Sequence, residues 1–223
     1  MTNQTFRSGG KNYAITLYGA PDDGKRYPVV IFYHGNWGLG SPFGDQIHDF
    51  AQAVSAHGYL TAVPAYYTDH EPHPLDQDTK EAILADVIAH VFKRPDADAG
   101  RLGLAGFSLG AASAMTYTVQ QPLGTVGVLL DFYGFLNQTI LGALDQFPPT
   151  AIFHNRNDWV VPFAESSKRL DQQLPGNIAH QLWTYDENNP PAHHAFAQGG
   201  HADVDSRANA TQWLLHHMAP VGI

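Results

Sequence analysis

The sequence predicts an α/β protein with a mainly parallel sheet and helices on both faces of that sheet. Short apolar runs typical of buried strands alternate along the chain with longer segments of helical periodicity. The run 29–33, Val-Val-Ile-Phe-Tyr, is apolar throughout, as in a strand covered on both faces. A serine between glycines, Ser108, stands where one apolar strand gives way to a helix. Strands separated by helices form βαβ units, which build parallel sheets.

The strands are apolar or alternating runs bounded by turn residues. Residues 12–18 alternate polar and apolar side chains, which is typical of a half-exposed strand. The predicted strands are 12–18, 27–34, 59–64, the apolar run before Gly106, 125–133, 150–154 and 180–185.

Helices are expected between these strands because apolar residues recur there every three or four positions. In the first of these segments Ile47, Phe50 and Val54 fall on one face. The segment beginning at Asp78 has a glutamate three residues further on, which resembles a capping box. The predicted helices are 43–57, 78–92, 111–119, 162–170 and 203–218.

Composition narrows the function classes. The 223 residues contain no repeat or linker, so we expect one domain spanning 1–223. Within it, 135–147 is either a short helix or a small cap over the site. A net charge of −9 without a basic patch argues against a nucleic-acid partner. There is no cysteine, and the thirteen histidines lack metal-ligand spacing, so neither a metal nor another cofactor is expected.

We expect no signal for export or membrane insertion in this chain. Its first residues lack the apolar segment of a secretory signal, and no apolar run approaches the ~20 residues that span a bilayer. We therefore expect a cytoplasmic monomer or homodimer without a membrane partner.

The segment Gly106-Phe-Ser-Leu-Gly110 is the most informative part of the chain. A strand that turns sharply into a helix, with serine at the turn and glycine on both sides, predicts a nucleophile elbow. Glycines are needed because a side chain at either flank would clash with the neighbouring strand or helix. The helix N-terminus behind Ser108 favours developing negative charge.

A nucleophilic serine needs a base and an acid that orients the base. In α/β-hydrolases these follow the serine in the order acid, then histidine. Asp158 is the preferred acid because it lies in a loop just past the strand 150–154, at the edge where such sheets build their sites. Asp131 also ends a strand, but it lies inside an apolar run.

Three histidines compete for the role of base, namely His193, His194 and His201. All lie in the irregular stretch between the last strand and the last helix. A loop of that length is often functional, but spacing alone does not choose among them.

An oxyanion hole needs two backbone N–H groups. Leu109, the residue after the serine, is expected to supply one of them. The second is expected from Asn36, in the loop His34-Gly-Asn-Trp-Gly-Leu39 that follows the strand 27–34.

The chain resembles the dienelactone hydrolase family, which has the α/β-hydrolase fold. The resemblance implies that Asp158 is the acid and His194 the base of a Ser-His-Asp triad with Ser108. It also implies a hydrolase that cleaves small carboxylic esters or lactones through an acyl-enzyme. The matching segments are His34-Gly-Asn-Trp-Gly-Leu39, Val63-Pro-Ala-Tyr-Tyr67, Gly106-Phe-Ser-Leu-Gly-Ala111, Asn157-Asp-Trp-Val-Val-Pro162 and His194-Ala-Phe-Ala197.

The chain departs from the family's founding enzymes at the nucleophile. Those enzymes have a cysteine where this chain has Ser108, and a glutamate beside it where this chain has Gly35. The departures imply an ordinary serine mechanism. The family's enzymes use arginines to hold the carboxylate of the substrate. Near the corresponding positions this chain has Tyr67-Thr-Asp69 and Gln198. Arg156 is either a substitute anchor or a solvated surface residue.

Four aromatic residues are predicted to contact the substrate, namely Trp37, Tyr67, Phe107 and Trp159. They favour a small, partly apolar acyl or alcohol group. Two other functions remain open at this point. One is acyl transfer or perhydrolysis at the same serine, and the other is ligand binding without catalysis.

Overall fold

The computed structural model describes residues 1–19, 23–67, 75–188 and 193–220, and within these ranges it contains one eight-stranded sheet. The strands are β1 (Thr2–Ser8), β2 (Lys11–Tyr18), β3 (Tyr27–Tyr33), β4 (Leu60–Ala65), β5 (Ala97–Phe107), β6 (Val128–Phe132), β7 (Thr150–Asn155) and β8 (His180–Tyr185). The helices are α1 (Phe43–Ser55), α2 (Gln77–Phe92), α3 (Leu109–Gln120), α4 (Gln138–Leu141), α5 (Ser167–Gln173) and α6 (His201–His217).

The sheet has the strand order β1-β2-β4-β3-β5-β6-β7-β8. Strands β1 and β2 pair antiparallel with each other, and β2 pairs antiparallel with β4. Every pairing from β4 through β8 is parallel. The predicted α/β class with a mainly parallel sheet is therefore confirmed. Because the carboxyl ends of these parallel strands meet at one edge, the loops that follow them converge there.

Both faces of the sheet are covered by helices. Along β3, Val29 and Ile31 point into the apolar cluster that includes side chains of α2 and α3. Val30 and Phe32 point into a second cluster, which includes side chains of α1 and α6. This alternation is the two-residue period of a strand. It explains why the central strand is apolar on both sides.

Two helix boundaries differ from the prediction. Helix α2 begins at Gln77 rather than at Asp78, because the side chain of Asp76 accepts a hydrogen bond from Thr79 N at 2.7 Å and caps the helix. The helix predicted at 162–170 begins only at Ser167. The residues after Pro162 form turns instead, with Glu165 N donating to Pro162 O.

Two segments of the structure go beyond the sequence prediction. Strand β1 was not predicted, since most of its side chains are exposed and only Phe6 and Ser8 are buried. The ambiguous segment 135–147 contains α4 and a 3₁₀ turn (Leu144–Gln146). The buried Ile140 and Phe147 pack this segment into the core beside α3. The remaining predicted elements are present. Strand β5 begins at Ala97, five residues before the predicted apolar run, and the ends of the others differ by at most three residues.

Two predicted loops lie partly outside the described residues, at 68–74 and at 189–192. In the ranges that the structure does describe, no helix is both long and apolar enough to cross a bilayer. Those ranges also contain no group of three histidine, aspartate or glutamate side chains that could hold a metal ion.

Candidate active site

The elbow between β5 and α3 fixes the position of Ser108. Its backbone has φ 54° and ψ −117°, a strained conformation for a residue with a side chain. The flanking glycines are explained by close contacts. A Cβ at Gly106 would overlap the backbone of Ala111, and one at Gly110 would overlap the carbonyl oxygen of Tyr33. The turn is held to the neighbouring strand by a hydrogen bond of 2.8 Å from Ser108 N to Phe132 O.

The structure brings the three side chains predicted for the triad into one hydrogen-bonded chain. The Nε2 atom of His194 lies 2.6 Å from Ser108 Oγ. On the other side of the ring, Nδ1 lies 2.6 Å from Oδ2 of Asp158. Since a carboxylate only accepts hydrogen bonds, Nδ1 carries the proton and Nε2 is left to accept from the serine hydroxyl.

Asp158 accepts hydrogen bonds at both carboxylate oxygens. Oδ1 accepts from the backbone N–H groups of Val160 at 2.8 Å and Val161 at 2.9 Å. Oδ2 accepts from His194 and, at 3.1 Å, from Nε2 of His154. Burial alone would raise the pKa of Asp158, but the hydrogen bonds from the two histidines and Val161 outweigh it and hold the pKa at about 2. The carboxylate is therefore ionised at neutral pH although it is buried.

The loop after β3 places Asn36 beside the serine. Gly35 O accepts hydrogen bonds from His34 Nδ1 at 2.8 Å and from Gly38 N at 3.1 Å. In a trans peptide the next N–H points the opposite way. The N–H of Asn36 therefore points away from these donors. Asn36 lines the space beside Ser108, as does Leu109 on the helix side.

Two cavities meet at Ser108. The first, of about 790 Å³ including its open mouth, is lined by both Ser108 and His194. Its walls are mostly apolar side chains from the loop after β3, from α1 and from the strand ends, including Trp37, Phe43, Ile47, Phe50, Phe107, Phe132 and Tyr133. Polar groups also line it, namely Gln46, Asp203, Ser206 and Arg207. Arg207 and Asp203 form an ion pair there, at 2.8 Å.

The second cavity, of about 760 Å³ including its mouth, opens on the other side of the serine. Leu109 and Leu136 line it, together with the loop that carries Val160 and Pro162. Glu165 and Ser166 are its charged and polar side chains apart from Asn36 and Ser108. Space for a bound molecule therefore exists on both sides of the serine hydroxyl.

The sequence model of the dienelactone hydrolase family matches residues 15–218. The chain belongs to the dienelactone hydrolase family. The match covers most of the chain and includes Ser108, Asp158 and His194. Membership in this family supports a hydrolase. A comparison with curated proteins finds no match.

Solved structures of related enzymes have the same fold. Dienelactone hydrolase from Anabaena variabilis is 20% identical with a TM-score of 0.75, and the alignment covers 97% of each chain. Est1E from Butyrivibrio proteoclasticus is 15% identical with a TM-score of 0.75, over 97% of this chain and 99% of its own. Esterase 2 from Thermogutta terrifontis is 17% identical with a TM-score of 0.74, over 100% of this chain and 96% of its own. These likenesses establish the α/β-hydrolase fold.

Gly35 has no room for a larger side chain without a local shift. A Cβ there would lie 3.0 Å from both Phe107 O and the Cβ of Ser108. The position that carries a glutamate in the family's founding enzymes is thus directly beside the serine in this member of the family. In this chain the position is Gly35, so no side chain stands between the backbone of the loop and Ser108.

Two of the four aromatic residues predicted to contact substrate lie elsewhere. Trp37 and Phe107 line the first cavity, but Tyr67 and Trp159 line neither of the two. Tyr67 packs against the core cluster beneath α2. Trp159 is 74% exposed, and its ring meets the ring of His193 edge-on instead of facing the serine.

The rival acid and bases do not join the hydrogen-bonded chain. Oδ1 of Asp131 accepts from Gly134 N at 2.9 Å, and Oδ2 has no partner among the described residues. His193 has φ 56° and turns its ring toward Trp159. His201 is exposed at the first turn of α6. Arg156 forms an exposed ion pair with Asp186 on the surface and lines neither cavity.

Several site residues were not singled out by sequence reasoning. Tyr133 meets the ring of His194 edge-on, with centroids 5.0 Å apart. His154 contacts the acid from behind. Its position, at the end of a strand and four residues before Asp158, is the one sequence signal that could have identified it. Gln46 and Arg207 lie on helices whose apolar faces were assigned to the core, so their polar contribution to the cavity required the three-dimensional arrangement.

Proposed function

We propose that this protein hydrolyses small carboxylic esters or lactones through an acyl-enzyme on Ser108. One observation carries the proposal. It is the unbroken hydrogen-bonded chain from Ser108 Oγ through His194 to Asp158, at the point where two cavities meet. Membership in the dienelactone hydrolase family supports the same reaction class.

In the first half of the reaction, His194 Nε2 takes the hydroxyl proton while Ser108 Oγ forms a bond to the carbonyl carbon of the ester. The electron pair of the carbonyl moves to its oxygen, which the N–H groups of Asn36 and Leu109 stabilise. The bond from carbon to the alcohol oxygen then breaks. That oxygen leaves with the proton from Nε2, and the acyl group remains on Ser108.

In the second half, a water molecule gives a proton to His194 Nε2 as its oxygen bonds to the acyl carbon. The bond to Ser108 Oγ breaks, Oγ regains its proton, and the carboxylic acid departs. Throughout, Asp158 keeps the imidazole in the tautomer that presents a lone pair to the serine, and it stabilises the imidazolium that forms.

The walls of the cavities indicate the kind of substrate. Aromatic and aliphatic side chains around Ser108 favour partly apolar groups on the ester. Esterase 2 from Thermogutta terrifontis has been solved phosphorylated by paraoxon, and Est1E has been solved with ferulic acid bound. We propose by analogy that Ser108 is open to an organophosphorus reagent and to esters of small apolar acids or alcohols.

A fluorophosphonate probe tests the nucleophile directly. Folded wild-type protein should gain the mass of one probe less HF on the peptide that contains Ser108, because the serine oxygen displaces fluoride, and Ser108→Ala should gain none. With p-nitrophenyl esters, His194→Ala should lower kcat by about 10⁴-fold, because it removes the base. His201→Ala is the matched control and should keep wild-type kcat, since its exposed ring lies outside the chain of hydrogen bonds.

Three results would contradict parts of the proposal. Loss of activity in His201→Ala, with activity kept in His194→Ala, would reassign the base. Folded wild type that binds the probe or an ester without reacting would favour a ligand-binding protein. Acyl products formed mainly with added alcohol or peroxide, rather than with water, would favour an acyltransferase or perhydrolase.

A further inference from the structure

His154, the next-to-last residue of β7, lies directly behind the candidate acid. Its side chain is fully buried, and both of its ring nitrogens have partners. Nε2 lies 3.1 Å from Asp158 Oδ2 and 3.0 Å from Val161 O, while Nδ1 lies 2.6 Å from Ser167 Oγ. Two acceptors face Nε2, so Nε2 carries a proton. The Ser167 hydroxyl can then donate to Nδ1, and the neutral ring is fully hydrogen-bonded.

The two oxygens of Asp158 are held from different sides. Oδ1 is held by the backbone N–H groups of Val160 and Val161. Oδ2 receives one hydrogen bond from His194 and one from His154. Without His154, Oδ2 would be held by the ring of His194 alone, which is the ring that the acid has to orient. The second imidazole therefore supplies an independent anchor for the carboxylate.

We propose that His154 is a positioning residue for the hydrolysis proposed above, on which this inference rests. By donating from Nε2 to Asp158 Oδ2 it fixes the rotation of the carboxylate, and through the carboxylate it fixes the ring of His194. Ser167 fixes the ring of His154 in turn. The arrangement extends the three-residue chain to five, with a serine hydroxyl at each end.

Other ionisable groups surround this chain and must be held constant in a test. The buried carboxyl of Asp131, at the end of β6, interacts electrostatically with His154. The phenol of Tyr133 interacts with Asp158 and with Asp203 of α6. The variants below leave these groups in place. Both variants lose the interaction between residue 154 and Asp131, so the comparison of His154→Phe with His154→Gln isolates the hydrogen bond.

Two substitutions separate hydrogen bonding from packing. His154→Phe keeps a ring, which can still pack edge-on against Phe163 as His154 does, but it removes the donor. His154→Gln keeps an N–H donor near the position of Nε2. We expect kcat to fall about 10- to 100-fold in His154→Phe, with KM within about twofold, because the base is misplaced rather than the substrate. His154→Gln should recover most of that loss.

The pH profile provides a readout that loss of packing alone would not move. Removing a donor leaves more negative charge on Asp158 Oδ2, which stabilises the protonated form of His194. The acid-side midpoint of kcat/KM should therefore shift upward by roughly half a pH unit in His154→Phe and stay near the wild-type value in His154→Gln.

A spectroscopic measurement on wild type avoids dependence on whether the variants fold. In protein labelled with ¹⁵N-histidine, His154 should be the neutral tautomer with its proton on Nε2. An Nδ1–H tautomer, in which Nε2 has no proton to donate to Asp158, would overturn the proposal. So would wild-type kcat and pH profile in folded His154→Phe, or equal loss of activity in the Phe and Gln variants.

His180→Phe is the matched control. This half-buried histidine at the start of β8 also has an oxygen acceptor within hydrogen-bond distance of each ring nitrogen, the carbonyls of Ile178 and Asp171, but it lies at the amino end of the strand, away from the site. It should keep wild-type kcat. If wild type neither hydrolyses esters nor reacts with the fluorophosphonate, the proposed function fails. If wild type is active and His154→Phe equals it, only the positioning role fails.

Discussion

Asp131 lies at the carboxyl end of β6 and Asp158 just past the end of the neighbouring parallel strand β7, yet of these two carboxyl groups only that of Asp158 is hydrogen-bonded to His194 among the described residues. Asp131 bends back to the N–H of Gly134 in its own turn, whereas Asp158 lies three residues beyond the end of β7, where the chain has already turned toward the histidine. The two carboxyl groups therefore experience different surroundings, and their substitutions should have different effects.

Asp158→Asn should lower kcat for ester hydrolysis by about 10⁴-fold, because an amide in place of Oδ2 cannot hold the required tautomer of His194. Asp131→Asn should keep kcat within a few-fold of wild type. Steady-state kinetics with one p-nitrophenyl ester would check both. A larger loss in Asp131→Asn than in Asp158→Asn would mean that the acid has been assigned to the wrong strand end.

Asp131 should make the free energy of unfolding larger at low pH than at high pH. Burial raises its pKa to about 6, against smaller lowering effects of Gly134 N–H and His154. Because the folded protein holds this proton more tightly than the unfolded chain, the stabilisation is present at low pH and is lost as pH rises through about 6. Relative to Asp131→Asn, wild type should gain about 1–1.5 kcal/mol between pH 7.5 and pH 5. Urea unfolding of both proteins at these two pH values measures it, and a difference that does not vary with pH would contradict it.

His34 should have the opposite effect and make the free energy of unfolding smaller at low pH. Burial lowers its pKa to about 4, although its hydrogen bond to Gly35 O opposes the shift and His48 adds slightly to it. The unfolded chain takes up this proton first as the solution is acidified. Stability is therefore complete above about pH 6.5 and is lost as pH falls toward 4.

The matched variant for this effect is His34→Phe, which can keep the stacking on Tyr66 but cannot titrate. Its free energy of unfolding is expected to change less with pH than that of wild type. Between about pH 7.5 and 4.5, wild type should lose about 2–3 kcal/mol relative to the variant. Equal losses in the two proteins, measured by urea unfolding, would show that His34 takes up its proton in the folded state.

The two cavities should hold different halves of an ester. The leaving oxygen must reach Nε2 of His194, and His194 lines only the first of them. Ile47→Phe, which narrows the first cavity, should lower kcat/KM about tenfold for long alcohols joined to a short acid. Leu136→Phe, in the second cavity, should do the same for long acids joined to a short alcohol. Two series of esters, each varied on one side, give the measurement, and the reverse pattern would exchange the two halves.

The strand–helix turn that carries Ser108 could be located from the sequence because its signal is local. A strand, a helix and two glycines around Ser108 specify the turn within a few residues, and the contacts of Gly106 and Gly110 give the physical reason. Asp158 could be placed at the end of a strand for a similar reason, since apolar runs and the loops after them are visible in the sequence.

The histidine could not be chosen from spacing. His193 and His194 are adjacent in an irregular loop, and which ring turns inward depends on the backbone at His193, which has φ 56°, and on the aromatic rings that flank His194. Those contacts join residues far apart in the chain. The local sequence pattern could not distinguish His194 from its neighbours, and the choice of His194 came from the resemblance to the family.

The cavity was the least predictable part of the site. The apolar stripe of α1 was interpreted as core, yet Ile47 and Phe50 both pack in the core and line the cavity. Conversely, Trp159 follows a predicted acid in a loop but projects into solvent. Periodicity indicates which face of a helix is apolar, but it does not show whether the residues of that face pack against other side chains or line a cavity.

The positive φ of Ser108 has a consequence for how this chain can vary. The conformation costs a serine about 1–3 kcal/mol, and glycine would adopt it with little penalty. Replacement by glycine is thus expected to stabilise the fold while removing the hydroxyl that we propose as the nucleophile. At this position the fold would be more stable with glycine, whereas the proposed reaction requires serine. The presence of serine is therefore consistent with a functional role for its hydroxyl.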